Sequence, residues 1–214
     1  MKYELIIFDM DGLMFDTERM YYETCRKFAS DYGFDYNIDK RNLMAGMSEA
    51  GIHDFIAKDI GDVEKTTRFR NKLKDYRKEY FETYTGSLKK KGLLELLEFL
   101  KENNIRACVA SSSSREKINF LLEKEEIADY FDFIISGEEL KESKPNPEIF
   151  LKAIEKSGID KDKALILEDS NNGYKAARAS AIDYLIIHDT YFDKNFEADR
   201  EVDDLSQAID YINW

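Results

Sequence analysis

Two aspartates one residue apart, Asp9 and Asp11, stand where the apolar run 5–8 ends, and Gly12 follows at once. In extended backbone alternate residues share a face, so both carboxylates would leave the end of a strand on the same side, with the glycine letting the chain turn away. Carboxylates that close repel one another, and neither stays ionised cheaply unless a cation or a proton stands between them. A magnesium ion, which takes hard oxygen ligands, is the economical answer. A second acidic pair, Glu168 and Asp169, follows the apolar run 164–167 and precedes Ser170-Asn171-Asn172-Gly173. Ser111 follows Ala107-Cys108-Val109-Ala110 and, with Ser112 behind it, offers a hydroxyl and backbone N–H groups at a helix start, a phosphate cradle in outline. Lys144 opens Lys144-Pro145-Asn146-Pro147-Glu148, which holds both prolines of the chain. Pro147 suits a helix start, and the two rings restrict the backbone beside Lys144.

The elements that must position these groups show in the pattern. Short apolar runs at 5–8, 107–110, 131–135, 164–167 and 184–187 have the length of fully buried strands. Between them, Leu93, Leu94, Leu96, Leu97 and Leu100 recur at helical spacing, as do Ile118, Leu121 and Leu122, then Ile149, Phe150 and Ile154. This alternation predicts an α/β fold, a doubly wound parallel sheet in the Rossmann-like manner, and such sheets gather their carboxyl strand ends on one edge, where ligands bind. The exception is Thr17 to Tyr84, which reads as helix upon helix. The predicted organisation is a core of residues 1–15 and 87–214 carrying an inserted helical cap, 16–86. Charge supports the split: residues 17–86 hold 13 basic and 13 acidic side chains, so the whole net charge of −12 falls on the remainder. Within the insert, Lys65, Arg68, Arg70, Lys72, Lys74, Arg77 and Lys78 face one acid, Asp75, and read as a solvated helix face.

With 214 residues, 43% of them apolar and 36% charged, the chain is long enough to bury a substantial core. An acidic surface repels phosphate backbones, which argues against a nucleic-acid partner. No run approaches 18 apolar residues, and the early Asp9 interrupts any signal-peptide core, so the reading is a soluble, cytoplasmic protein without a membrane partner. Cys25 and Cys108, with two histidines, cannot build a disulfide framework or a zinc cluster, and both thiols are read as buried. The acidic stretch from Asp189 to Trp214 contains Leu205, Ala208, Ile209 and Ile212 at helical spacing and is read as a docked final helix. No coiled-coil heptad suggests an oligomer, and a monomer is expected.

Each piece alone has a bland explanation: a strand-end acid can be a helix cap, a lysine a surface group, a serine run a loop. Their order is more specific. Asp-x-Asp-Gly after the first strand, Ser after the second, Lys-Pro-x-Pro-Glu and then Glu-Asp-Ser make the chain resemble the haloacid dehalogenase superfamily, and within it the helical-cap subgroup of beta-phosphoglucomutase and phosphoglycolate phosphatase-like proteins. The resemblance spans essentially the whole chain. It implies that Asp9 is the nucleophile attacking a phosphomonoester, through an aspartyl phosphate, and that Asp11 is general acid and base, its carbonyl also a metal ligand. It implies that Ser111, Ser112, Lys144 and Asp11 hold the phosphoryl group, and that Asp9, Asp11, Asp169 and Glu168 bind Mg2+. The partner implied is a small phosphorylated metabolite, and the cap would exclude water and choose the substrate, with Asp16, Thr17 and Gly86 near its hinges.

Three positions depart from the mutase pattern. Tyr21 stands where mutases carry a histidine, Glu49 follows Gly46-Met47-Ser48 where they place an arginine for a distal phosphate, and Lys91 stands where relatives usually have proline. The first two favour a magnesium-dependent phosphatase over the alternative, a beta-phosphoglucomutase. A non-catalytic relative that binds a metabolite or partner is a third reading. Asp11 itself argues against a dehalogenase, whose leaving group needs no proton.

Overall fold

The structure is a computed structural model and describes residues 2–45, 47–188 and 196–213. Gly46 of the cap turn and the start of the acidic stretch, 189–195, lie outside the described residues, as does Trp214.

Strands β1 (Leu5–Phe8), β2 (Arg106–Ser111), β3 (Phe133–Ser136), β4 (Ala164–Glu168), β5 (Asp183–Ile187) and β6 (Glu201–Val202) form one sheet in the order β3-β2-β1-β4-β5-β6. Every pairing is parallel. Four of the five predicted runs coincide with strands within one residue at each end; the third begins two residues later than expected, at Phe133, after a short 3-10 turn at Ala128–Tyr130. The two-residue β6 has too little apolar sequence to announce itself.

Helices cover both faces. On one, α5 (Leu93–Glu102), α6 (Arg115–Lys124) and α9 (Leu205–Asn213) bury Leu96, Leu97, Ile118, Leu121, Ala208 and Ile212 against Ile6, Phe8 and Val109. On the other, α7 (Glu148–Ser157) and α8 (Asn171–Ser180) bury Ile149, Phe150 and Ala176 against Leu5, Ile7 and Ile166. β1 is central and completely buried on both faces, which is why its four residues show an unbroken apolar run and no alternation.

Between β1 and α5 lie α1 (Thr17–Ala29), α2 (Ile38–Met44), α3 (Glu49–Ile60) and α4 (Val63–Thr83). Asn37, Ser48 and Asp62 cap the last three, each side chain accepting from a backbone N–H three residues on. These helices have an apolar cluster of their own, including Cys25, Phe34, Ile56, Phe69 and Leu73, separate from the two sheet clusters. Met20 of α1 and Phe81 of α4 nevertheless pack into the sheet's core, so these two helices straddle the junction. The connections lie side by side: Asp16 N–H donates to the Leu88 carbonyl at 2.9 Å and Lys90 N–H to the Met14 carbonyl at 2.9 Å. No helix among the described residues is long and apolar enough to cross a membrane.

Candidate active site

Register sets the site. Phe8 pairs with Val109 on one side and Leu167 on the other, so the residues just past these positions, Asp9, Ser111, Glu168 and Asp169, emerge together at the carboxyl edge of the three central strands. Asp9 extends the ladder, its N–H donating to the Leu167 carbonyl at 3.0 Å. Gly12 takes φ +87°, and a Cβ there would lie 2.2 Å from Asp169 Oδ2. Both its conformation and the approach of the second acidic pair therefore require glycine.

The sheet edge and the four-helix insert enclose a cavity of about 110 Å³, whose floor includes Asp9, Asp11, Ser111, Ser112, Ser113, Lys117, Asp169 and Ser170. Ser111 is buried and Ser112 half-buried. Lys144 enters beneath the floor: 2% exposed, it donates through Nζ to Asp9 Oδ1 and Glu168 Oε1, each at 2.5 Å. Its ammonium is held charged: burial pulls its pKa down, but the two carboxylates outweigh this and raise it. Asp9 goes the other way. Burial lifts it most, Lys144 opposes, the neighbouring acids Glu168 and Asp11 add to the lift, and its pKa rises to about 7.

Glu168, expected beside Asp169 among the metal carboxylates, is placed differently. Its Oε1 accepts from Lys144, and its Oε2 accepts from Asp169 N–H at 2.8 Å, Ser170 N–H at 2.9 Å and Ser170 Oγ at 3.1 Å. The carboxylate is folded against the start of α8, where the helix dipole favours it. A Cβ on Gly173 would lie 1.9 Å from it, so the glycine in the first turn of α8 makes the room. Glu168 is thereby the countercharge that holds Lys144.

Asp11 has partners that the motifs did not name. Thr17 Oγ1 donates to its Oδ1 at 2.6 Å, Ser113 Oγ to its Oδ2 at 2.7 Å, and Lys117 Nζ to both oxygens at 2.7 and 2.8 Å. Burial alone would raise this carboxyl, yet Lys117 and the two hydroxyls outweigh it, and its pKa lies below the ordinary carboxylate value. Sequence reasoning missed Ser113 and Lys117. One signal was present: Arg115 and Lys117 occupy the first turn of α6, where cations oppose the helix dipole, and a base placed there asks for an acid nearby.

The insert lines the roof with Glu18, Tyr21, Arg41, Glu49, Arg70 and Arg77, among others. This corrects the reading of the basic stretch as one solvated face: Lys72, Lys74 and Lys78 are exposed, but Arg70 and Arg77, two turns apart on α4, line the cavity with Leu73. Arg41 Nη2 donates to Glu18 Oε2 at 3.0 Å, and Arg70 pairs with Glu49. Tyr21 lies 4.3 Å below the Arg77 guanidinium and 4.5 Å from Lys117 Nζ, measured to its ring centroid. Burial pushes its phenol up to about 12. Asn172 Nδ2, on α8, donates to the Ala45 carbonyl of the insert at 2.6 Å. Lys91 lies away from the site, paired with Asp204 at 2.5 Å.

As to a metal, no three His, Cys, Asp or Glu side chains among the described residues converge as a ligand cluster. Mg2+ is commonly held by one or two carboxylates with water making up its shell. Asp9 and Asp169 line one cavity, and Asp9 is crowded by the negative charge of Glu168 and Asp11 even with Lys144 beside it, so a further cation there is favoured. These hard oxygen donors fit the ion.

Comparison with known proteins agrees with this geometry. The haloacid dehalogenase-like hydrolase family matches residues 6–187. A "phosphorylated carbohydrates phosphatase" of Thermotoga maritima is 30% identical over 188 residues, 86% of each chain. A "fructose-1-phosphate phosphatase" of Escherichia coli is 26% identical over 185 residues, 85% of this chain and 95% of the relative. Among solved structures, a beta-phosphoglucomutase from Clostridium difficile superposes with a TM-score of 0.84 at 27% identity, covering 99% of this chain and 96% of that one. With the family's pattern running through the sheet from β1 to β5, the chain belongs to the haloacid dehalogenase-like hydrolases.

Proposed function

We propose that the protein hydrolyses a small sugar or organic phosphomonoester, with Asp9 as nucleophile and Mg2+ as cofactor. It is a phosphohydrolase of its family. The observation that carries the reading is the Asp9 carboxylate, which borders the cavity while its Oδ1 is fixed by a buried lysine.

The Asp9 carboxylate oxygen bonds to phosphorus as the ester P–O bond breaks, giving an aspartyl phosphate and an alcohol. Asp11 gives the leaving oxygen its proton, then takes one from the water that attacks the phosphorus and frees Asp9 and inorganic phosphate. The pairing of Asp11 with Lys117 describes its ionised form, the one suited to the second step; donating a proton in the first requires the protonated acid to leave Lys117. Lys144 and the Ser111 and Ser112 loop at the start of α6 balance the charge on the phosphoryl oxygens. Asp9, the Asp11 carbonyl and Asp169 would hold Mg2+, which supplies positive charge to the phosphoryl oxygens. Glu168, fully buried and outside the cavity lining, serves instead to hold Lys144 and the start of α8. The insert, residues 16–86, acts as a cap that keeps bulk water from the site.

The test is phosphate release from a panel of sugar and organic phosphomonoesters with and without Mg2+, with Asp9→Asn beside the parent. Metal-dependent release lost in Asp9→Asn supports the reading; no release from any ester overturns it. The near-complete superposition on a beta-phosphoglucomutase favours one second reading, an isomerase. Glucose 6-phosphate formed from beta-glucose 1-phosphate without free phosphate would establish it.

A further inference from the structure

The roof of the cavity has a charged part and an apolar part. The charged groups are engaged within the roof: Arg41 is taken by Glu18 at 3.0 Å and Arg70 by Glu49, while Arg77 lies on the Tyr21 ring and donates to the Tyr21 carbonyl at 3.4 Å. The apolar part is made by Met44, Met47, Ile52, Ile56 and Leu73, which line the same cavity as Asp9, Ser111 and Asp169 of the floor. Ile52 and Ile56 stand four residues apart on α3 and so share a face. Met47 lies between α2 and α3, two residues past Ala45, whose carbonyl Asn172 of the core holds at 2.6 Å. Met47 and Ile52 are half-buried and pack against the insert's own cluster, which includes Ile56 and Leu73. Apolar surface that lines a cavity gains its burial free energy only when something apolar covers it, and the unbranched, polarizable methionine adapts to what does so. A hydroxyl set against Met47 and Ile52 would give up water and gain no partner from them.

Resting on the phosphatase reading for the floor, we propose that this apolar patch is the leaving-group subsite, that Met47 and Ile52 are its specificity-determining residues, and that the substrate is a phosphomonoester whose alcohol carries an apolar alkyl or aryl portion. The phosphoryl end meets the charged floor, and the apolar end covers α3 and the segment before it.

The test uses ethyl, propyl and butyl phosphate, whose alcohols are equally good leaving groups, so that rate differences along the series report contact with the chain. In the parent, kcat/KM rises about threefold with each added methylene, and propyl phosphate exceeds glycerol 3-phosphate, its hydroxylated counterpart, by about tenfold or more. In Met47→Gln and in Ile52→Thr the gain per methylene falls toward one, whereas Met47→Leu keeps it. Circular dichroism and Tm check that the variants fold. Calorimetric binding of the same compounds to Asp9→Asn in Mg2+ reads the subsite without turnover. Equal kcat/KM along the series, a preference for glycerol 3-phosphate over propyl phosphate, or a gain per methylene untouched by both polar substitutions overturns the proposal. Binding to Asp9→Asn that tightens with chain length, without hydrolysis of any compound by the parent, would keep the subsite and remove the phosphatase reading. Hydrolysis in which neither rate nor binding follows chain length would do the reverse, and neither hydrolysis nor binding of any member would remove both.

Discussion

The floor and the roof of one cavity are built on different terms. On the floor, Asp9, Asp11, Glu168 and Lys144 hold each other and the ends of α6 and α8 through bonds of 2.5 to 3.1 Å, all hung on a sheet buried on both faces. On the roof, the insert has a smaller core of its own, and of the three arginines that line the cavity two pair with glutamates while Arg77 has no carboxylate partner among the described residues. The groups that would do chemistry are held from several directions at once, whereas those that would choose the substrate stand on a unit with its own core, joined to the sheet's core through Met20 and Phe81. Such a division lets one core serve many substrates.

The comparison breaks most visibly at Asp9. Asp9→Asn should remove phosphate release by about four orders of magnitude or more while leaving the fold intact, since Glu168 still faces Lys144; a steady-state phosphate assay with circular dichroism checks both. Lys144→Met should act on both counts. It leaves Asp9 and Glu168 buried without their shared cation, which should cost about 3–5 kcal/mol in urea unfolding and lower kcat by about a hundredfold or more. Lys117→Met removes the cation from Asp11, along with its contacts to Ser113 and the Tyr21 ring, and should lower kcat by about ten- to a hundredfold with a smaller change in KM. Asn172→Ala tests the joint between the two regions. Losing the bond to the Ala45 carbonyl should cost about 0.5–1.5 kcal/mol, read as a several-fold rise in KM.

The smallest effect lies at the return connection. Glu125 accepts from Ser87 Oγ, Leu88 N–H and Lys89 Nζ, and although burial pushes its carboxyl up, these bonds outweigh it and hold its pKa below the ordinary 4.5. A depressed folded-state pKa gives stability that is present above about 4.5 and lost as pH falls through the folded value. Glu125→Gln should therefore be less stable near pH 7 and should flatten the fall in Tm below pH 4.5; an unchanged slope would show that the connection is held by other contacts.

Much of the floor was legible because its signals are local. Asp9 and Asp11 end an apolar run, Ser111 ends the next, and Glu168-Asp169 end another, so strand ends alone put them on one edge. The basic stretch on α4 misled because seven cations in fourteen residues look uniform, while the helix turns Arg70, Leu73 and Arg77 inward and Lys72, Lys74 and Lys78 outward. Lys117 was overlooked because its partner is 106 residues away, and the one local signal, a cation in the first turn of α6, asks for an acid without saying which.

Sequence by itself determined the parallel α/β core, the inserted helices and the identity of the strand-end acids, because apolar runs of strand length and helical periodicity are written over a few neighbouring residues. Tertiary structure alone decided that Glu168 turns back to Lys144 and α8, that Lys117 takes Asp11, and that Arg77 stacks on Tyr21 and meets no carboxylate among the described residues. Those outcomes depend on which side chains meet when residues distant in sequence are packed together, and burial then makes every unmatched charge count.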